Sequence, residues 1–378
     1  MRVQAAILYE TCKPTPYEES KPLVVEEVEL DPPGPGEVLV ELVGAGLCHS
    51  DLSVINGSLY PKLLQPMILG HEASGIVRET GTDVKDIKVG DHVVFSFVPT
   101  CGHCHYCSNG RPALCTNGGA ANGRGALLSG AQRFRKLDGS PVAHFLGVSA
   151  FSRFTVVARE SLIVIEKDVP LEKAALFGCA LITGVGAVMN TAKVSPGEPV
   201  VVFGLGGVGL STIMGAKLVG ASPIIAVDML TSKFDLAKRL GADFTVPAGD
   251  GDPLAAIRDI TRGGAEYAFD AVGNTDVLAQ AFKATRPGGK TIAIGIPPSD
   301  RFLSLHAAAI VVHEKSLLGS FMGSAVPRRD ISRLAHLYQA GKLPLDELLS
   351  PSITLEEINI GFDRLAQGVA IRQLIRFD

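Results

Sequence analysis

The stretch "VVVFGLGGVG", from Val200 to Gly209, decides the fold of a large part of the chain. An apolar run typical of a buried strand leads into a G-x-G-x-x-G pattern, and the helical run "LSTIMGAKLVG" follows at once. This order predicts a dinucleotide-binding turn, because glycine lets a pyrophosphate approach the free amides at a helix N-terminus. A glycine turn needed only for packing is the alternative. The residues of the predicted cofactor turn are Gly204, Gly206, Gly207, Val208 and Gly209.

Asp228 ends the next apolar run, "IIAVD", about twenty residues after the glycines. A carboxylate at that position accepts hydrogen bonds from the ribose hydroxyls and repels a 2′-phosphate, so the sequence predicts NAD as the cofactor in preference to NADP. Lys233 adds a possible ribose contact, although a solvated surface lysine is an equally good interpretation.

Six buried-type runs, the first of which leads into this motif, have helical stretches between most of them. Such alternation predicts an α/β domain with a doubly wound parallel sheet over residues 180–320. The six runs are "PVVVFG", "IIAVD", "FTV", "YAFDAV", "TIAIG" and "SLLGSF".

Residues 1–179 read differently, as short apolar or alternating runs between Gly, Pro and Asp, which predicts an irregular β-rich domain. The runs are Val38–Val43, Gly75–Val77 and Asp91–Phe97. At 378 residues the chain exceeds a single hydrophobic core. Residues 321–378 read as helical segments and a final strand, "RQLIRF", that return to the first domain.

Four of the seven cysteines lie in "CGHCHYCSNGRPALC", which runs from position 101 to position 115. An odd number of cysteines disfavours a disulfide framework and suggests a reducing, cytoplasmic compartment. Four thiolates this close together predict one tetrahedral Zn²⁺ site. With four cysteine ligands, such a site has no coordination position free for a substrate. Buried apolar thiols that share a loop by chance are the alternative. The four predicted ligands of this structural zinc are Cys101, Cys104, Cys107 and Cys115.

Composition excludes other classes of protein. The net charge of -4 and the lack of a basic patch with interleaved aromatics argue against nucleic acid as a partner. Hydrophobic residues make up 46% of the chain, but no uninterrupted apolar run approaches the roughly 20 residues that cross a bilayer.

Five segments occur in an order and at spacings that resemble the zinc-dependent alcohol dehydrogenases of the medium-chain dehydrogenase/reductase family. They are "GLCHSD", "LGHEASG", the four-cysteine loop, "FGCALITG" and "VFGLGGVG". The resemblance implies a GroES-like catalytic domain beside a Rossmann domain. It also implies a catalytic zinc held by Cys48, His71 and Cys179, with one coordination position free.

The same resemblance suggests further roles in catalysis. Ser50 matches the hydroxyl that accepts the alcohol proton, although a solvent-facing serine is the alternative. Asp51 matches a residue that orients His71, and Glu72 matches one that lies behind the metal. Many family members have a relay histidine where this chain has Ser53, so no terminal relay group is assigned.

Binding roles follow from the resemblance as well. His49 and Arg372 match contacts to the cofactor pyrophosphate, and Phe97 matches an aromatic wall of the alcohol pocket. Ile294 is assigned to the cofactor site and, with Ile296 and the segment from Leu114 to Phe145, to the pocket walls. Cys12 matches no family position, and we expect a small core residue there.

These observations predict reversible, zinc-dependent and NAD-linked oxidation of primary or secondary alcohols to aldehydes or ketones. An apolar pocket favours medium-chain, aryl or terpenoid alcohols. Two alternatives remain open: a thiol-dependent formaldehyde dehydrogenase, and an NAD(H)-binding sensor or scaffold with two structural zincs. The edge strand "SLLGSF" predicts a homodimer, with a homotetramer possible.

Overall fold

A computed structural model describes residues 1–59 and 65–377, and the chain divides into two compact units. The β-rich unit comprises Met1–Cys179, Val326–Gln339 and Leu349–Asp378, and the parallel-sheet unit comprises Ala180–Ala325 and Ala340–Leu348. The return to the β-rich unit was predicted at residue 321 and occurs at Val326 instead.

Hydrogen bonds explain why the chain returns later than predicted. The side-chain amide of Asn190 donates to the carbonyl of Gly323, which holds the turn Met322–Ser324 to the parallel-sheet unit. Arg239 likewise pairs with Glu347, within the short segment that goes back to that unit.

The strands of the described residues carry the labels β1 to β17 in chain order. They are β1 Arg2–Leu8, β2 Leu23–Leu30, β3 Glu37–Gly46, β4 Met67–Ile68, β5 Glu72–Thr80, β6 His92–Phe95, β7 Phe134–Arg135, β8 Pro141–His144, β9 Phe154–Ala158, β10 Leu162–Ile165, β11 Val200–Phe203, β12 Ile224–Asp228, β13 Phe244–Pro247, β14 Ala265–Asp270, β15 Thr285–Ala293, β16 Ser316–Gly319 and β17 Leu374–Arg376.

The α-helices carry the labels α1 to α13. They are α1 Tyr17–Ser20, α2 His49–Ile55, α3 His105–Ser108, α4 Thr116–Gly123, α5 Leu171–Ala174, α6 Ala180–Gly186, α7 Gly207–Leu218, α8 Phe234–Leu240, α9 Pro253–Thr261, α10 Thr275–Ala284, α11 Ala307–Val312, α12 Pro327–Gln339 and α13 Ile358–Ala366. Among the described residues no single helix has the length and apolarity to span a membrane, although one bent pair of helical segments passes that test.

The parallel-sheet unit contains one six-stranded sheet in the order β13-β12-β11-β14-β15-β16. All of its pairings are parallel, which confirms the predicted doubly wound sheet. Strand β11 lies between β12 and β14 and is buried along its whole length, as its unbroken apolar run requires. The glycine turn therefore follows a central strand.

The β-rich unit contains a closed barrel, β1-β2-β7-β8-β4, and a second sheet in the order β10-β6-β5-β3-β17, with β9 also paired to β3. Within this second sheet, β3 pairs with β5 and β17 in antiparallel fashion. The register places Gly46 opposite both Glu72 and Leu374, so residues just outside these strand ends meet. A group of buried side chains that could hold a metal ion lies at this end of the sheet.

Candidate metal and nucleotide sites

The buried metal-binding set is assembled from three separate parts of the β-rich unit. Cys48 precedes α2, His71 immediately precedes β5, and Glu72 is the first residue of that strand. Cys179 follows the short turn Ala175–Gly178. All four side chains are buried, and their ligand atoms lie within 4.8 Å of one another. His71 Nε2 lies 3.3 Å from Cys179 Sγ.

The pKa values of the two buried thiols are shifted in opposite directions. The hydrogen bond from Cys179 holds the pKa of Cys48 well below its usual value, and the nearby Arg372 and His71 add to this effect. The same hydrogen bond and burial raise the pKa of Cys179 well above its usual value. One thiolate thus forms readily in this site, and a bound cation would be required to hold two.

Asp51 fixes the orientation of the metal-binding imidazole. Its carboxylate lies 3.2 Å from His71 Nδ1, and its Oδ1 accepts a 3.0 Å hydrogen bond from the backbone amide of Gly70. Burial opposes the protonated imidazole, but the charge and hydrogen bond of Asp51 outweigh it, so the pKa of His71 is raised. With its Nδ1 proton held by Asp51, His71 presents Nε2 to the two thiols.

Glu72 and Arg372 form a second charged layer of the site. Neither carboxylate oxygen of Glu72 has a hydrogen-bond partner, and burial raises the pKa of this carboxyl to about 7. Arg372 is 2% exposed, and its Nη1 donates to the carbonyl of Leu47 at 3.2 Å. Burial opposes the charge of Arg372, but Glu72 and Cys48 outweigh that cost and raise its pKa. Sequence reasoning did not anticipate this place for Arg372 beside the thiols.

The donor set fits zinc. Two thiols and an imidazole are ligands that Zn²⁺ prefers, and three protein ligands with an open fourth position are typical of catalytic zinc. The carboxylate of Glu72 has no hydrogen-bond partner and lies with the thiols and the imidazole, so a bound cation would add to the compensation that Arg372 gives its charge.

The four-cysteine lobe has a different construction. The ligand sulfurs of Cys101, Cys104, Cys107 and Cys115 all lie within 4.8 Å of one another, and only Cys115 is buried. Backbone amides donate to these sulfurs: Cys104 to Cys101 at 3.4 Å, and Gly118 to Cys115 at 3.3 Å. The backbone amide of Cys107 is the main cause that lowers the pKa of Cys104 to about 5. Burial instead raises the pKa values of Cys107 and Cys115, so a bound cation would be required to hold all four thiolates together. Four sulfurs this close together suit a closed zinc site.

The nucleotide turn lies within the parallel-sheet unit. Gly204 has φ +90°, and α7 begins at Gly207 without a side-chain cap, so its first amides stay available. A Cβ at Gly209 would lie 1.8 Å from the carbonyl oxygen of Gly204, whereas one at Gly206 would meet nothing within 4 Å. The turn therefore has no room for a side chain at Gly209, whereas the space at Gly206 is open, as the approach of a pyrophosphate requires.

Asp228 ends β12 beside this turn. Its carboxylate accepts hydrogen bonds from the backbone amides of Leu205 at 2.6 Å and Leu230 at 2.8 Å. Lys233 Nζ lies 3.8 Å from the same carboxylate, so the predicted ribose-binding side chains are adjacent. Ile294 is buried just after β15, whereas Ile296 is 57% exposed.

The remaining predicted residues of the β-rich unit lie around the buried set. Ser50 Oγ lies 3.9 Å from Cys48 Sγ, and His49 is exposed at the start of α2. The ring of Phe97 meets the His71 imidazole edge-on at 5.0 Å, and Phe145 does so at 5.8 Å.

The prediction for Cys12 is wrong. Its side chain is exposed and its φ is +66°, because it lies in a surface turn outside the core.

Comparisons with known proteins agree with this geometry. Residues 34–167 match the family model of the alcohol dehydrogenase GroES-like domain, and residues 207–340 match that of the zinc-binding dehydrogenase. The fold and the metal sites thus define a zinc-dependent oxidoreductase with a dinucleotide-binding domain.

Relatives that align over the full length of this chain identify the family within this class. The chain is 38% identical to a class-3 alcohol dehydrogenase of Cereibacter sphaeroides and 37% identical to an S-(hydroxymethyl)glutathione dehydrogenase of Paracoccus denitrificans, with 100% of each chain covered. The solved benzyl alcohol dehydrogenase of Acinetobacter calcoaceticus is 34% identical and superposes with a TM-score of 0.91 over 100% of both chains. This chain belongs to the zinc-dependent alcohol dehydrogenases of the medium-chain dehydrogenase/reductase family, with zinc and NAD as its cofactors.

Proposed function

We propose that this enzyme oxidises apolar primary or secondary alcohols, of medium-chain, aryl or terpenoid type, reversibly to aldehydes or ketones. The observation that carries the proposal is the pair of aromatic rings, Phe97 and Phe145, packed edge-on against the metal-binding imidazole of His71. Aromatic walls next to a reacting centre favour apolar substituents on the substrate. The likeness to a benzyl alcohol dehydrogenase supports the same substrate class.

The residues of the chain have distinct tasks in this reaction. Zinc at Cys48, His71 and Cys179 would supply Lewis acidity toward the alcohol oxygen, and NAD would take up the hydride. Asp51 holds His71 in the tautomer that presents Nε2, and the charge of Arg372 offsets the neighbouring Glu72 and thiolate charges. These residues keep the ligands in place while the substrate changes charge.

In this proposal the Ser50 hydroxyl accepts the alcohol proton while it releases its own proton to water. Its hydroxyl is half-buried and lies 3.9 Å from Cys48 Sγ, so it is next to the ligand set and still reached by solvent. Ser53 stands one helical turn further along α2 and does not titrate near neutral pH. The proton therefore leaves through water, and the pH profile of turnover should lack the signature of a relay histidine.

The second candidate is thiol-dependent formaldehyde oxidation. The likeness to an S-(hydroxymethyl)glutathione dehydrogenase supports it. Such a substrate carries several charged groups, whereas the rings against His71 are apolar.

A substrate panel tests these candidates. NAD reduction is measured with benzyl alcohol, a medium-chain alcohol, a terpenoid alcohol, and formaldehyde with and without glutathione. We expect turnover of the apolar alcohols and its loss after chelation. Turnover only with formaldehyde and glutathione together would establish the second candidate. A zinc-loaded protein that oxidises none of them would favour a sensor or scaffold.

We also propose a cytoplasmic homodimer. All seven cysteines are unpaired in the described structure, as a reducing compartment requires. Strand β16 is the last strand of its sheet, and exposed apolar side chains precede it in the chain, including Phe302, Val311 and Val312. Light scattering tests the assembly: a dimer mass is expected, a tetramer would extend the proposal, and a monomer would reject it.

A further inference from the structure

The loop that follows β8 has an unusual backbone. Leu146, Gly147 and Ser149 all have positive φ, at +54°, +65° and +55°. Two of these residues carry side chains, for which the left-handed region costs about 1–2 kcal/mol each. Every residue from Phe145 to Ser149 is buried. A conformation of this kind persists only where its surroundings enforce it.

A buried hydroxyl closes this loop. Ser149 Oγ accepts a 3.2 Å hydrogen bond from the backbone amide of Phe145 and lies 3.3 Å from His144 Nδ1. The same amide of Phe145 also points to the carbonyl of Ile68, at 3.2 Å. The hydroxyl of Ser149 thus links both ends of the loop, in addition to backbone hydrogen bonds from the amides of Val148 and Ser149 to the carbonyl of Phe145 at 3.0 Å and 3.3 Å. Alanine at position 149 would remove only the side-chain link, which is the one that bonds the Phe145 amide.

The tautomer of His144 follows from its neighbours. The backbone amide of Arg133 donates to His144 Nε2 at 3.1 Å, so Nε2 carries no proton in the neutral ring. The proton then resides on Nδ1, which donates to Ser149 Oγ. Burial, with a smaller contribution from Arg133, lowers the pKa of His144 to about 3, so the ring stays neutral throughout the physiological range.

The loop matters because of the ring that it carries. Phe145 lies edge-on against His71 at 5.8 Å, and its backbone position is set by the bonds to Ser149 and Ile68. We propose that His144 and Ser149 are positioning residues that fix the Phe145 ring and thereby set the preference for bulky apolar alcohols. The inference rests on the proposed function, since it assigns the substrate preference of that same site.

The decisive experiment compares Ser149→Ala with Ser152→Ala. Both serines are fully buried in the same loop region. The hydroxyl of Ser152 donates to the carbonyl of Phe154 at 2.8 Å, with the carbonyl of Ser149 also within reach at 3.2 Å, and no hydrogen bond joins it to the Phe145 amide. Alanine retains the Cβ, so the strained φ of Ser149 is unchanged. For Ser149→Ala we expect kcat/KM for benzyl alcohol to fall about tenfold, mostly through KM, relative to ethanol. The control, Ser152→Ala, should leave the ratio of kcat/KM for benzyl alcohol to kcat/KM for ethanol unchanged.

A pair of His144 variants and a hydrogen-exchange experiment provide two further tests. His144→Asn retains a side-chain N–H donor close to the position of Nδ1 and should preserve the preference, whereas His144→Leu should lose it. Hydrogen exchange of residues 145–149, followed by mass spectrometry, should accelerate in Ser149→Ala and not in Ser152→Ala. An unchanged alcohol ratio, or the same change in both serine variants, would overturn the proposal.

The exchange measurement also separates this inference from the proposed function. If the wild-type enzyme oxidises neither benzyl alcohol nor ethanol, the proposed substrate class fails. Accelerated exchange only in Ser149→Ala would still show that the hydroxyl closes the loop, whereas equal exchange in both variants would reject that role as well.

Discussion

The two cysteine sites of the β-rich unit have opposite constructions. The four-cysteine lobe takes all its ligands from positions 101–115, and most of them are partly exposed. The buried set joins positions 48, 71 and 179, and every one of these side chains is buried. A turn is enough to form the first site, whereas the second exists only after β3 and β5 have paired.

The chemical groups that surround the two cysteine sites also differ. Backbone amides surround the sulfurs of the lobe, whereas Asp51, Glu72 and Arg372 surround the buried set. Amides stabilise thiolates without providing a proton or a variable charge. Carboxylates and a guanidinium can adjust the charge at a metal while its substrate reacts. We propose that the lobe contributes stability and that the buried set contributes chemistry.

The largest expected effect tests the buried set. Replacing Cys179 by alanine removes one ligand, and the loss of Lewis-acid catalysis is worth several kcal/mol, which corresponds to about 10³-fold in kcat/KM or more. Metal analysis should find the lobe still loaded. Retention of activity within about tenfold would break the assignment of chemistry to this set.

Cys104→Ser is the matched change in the lobe. We expect the free energy of unfolding to fall by about 3 kcal/mol, because loss of a structural metal is among the most destabilising changes. Chemical denaturation measures this, and kcat per folded molecule should stay close to the wild-type value. A loss of activity as large as that of Cys179→Ala would show that the lobe takes part in chemistry.

Asp51→Asn examines the charged neighbours of the buried set. The variant keeps an oxygen for the Gly70 amide but loses the charge that faces His71. Zinc affinity of the buried site should fall about 10- to 100-fold, as for other groups that orient a metal-binding histidine. Competition with a chelator measures it. Equal weakening of the lobe zinc would point to general unfolding instead.

The smallest effect is expected for Cys12→Ser. This cysteine is exposed and belongs to neither set, so stability should change by no more than about 0.5 kcal/mol. Metal content and activity should remain unchanged. A loss of zinc in this variant would mean that one of the two sets is wrongly defined.

Much of the fold was predictable because the relevant signals are local. The six-stranded parallel sheet follows from apolar runs interrupted by helices, and the glycine turn from a short motif after β11. The return of the chain at Val326, by contrast, depends on the contact of Asn190 with Gly323, which are far apart in the sequence. The exposure of Cys12 depends in the same way on where its turn lies.

The sequence by itself determined the four-cysteine cluster, the nucleotide turn and the alternation of strands and helices, because each depends on residues that are neighbours along the chain. Only the tertiary structure decided that Arg372 is buried beside the thiols and that Ser149 closes the loop bearing Phe145. Sheet pairing brings β17 against β3 and thereby places Arg372 next to Leu47. Contacts of this kind depend on register and burial, which no local pattern of residues specifies.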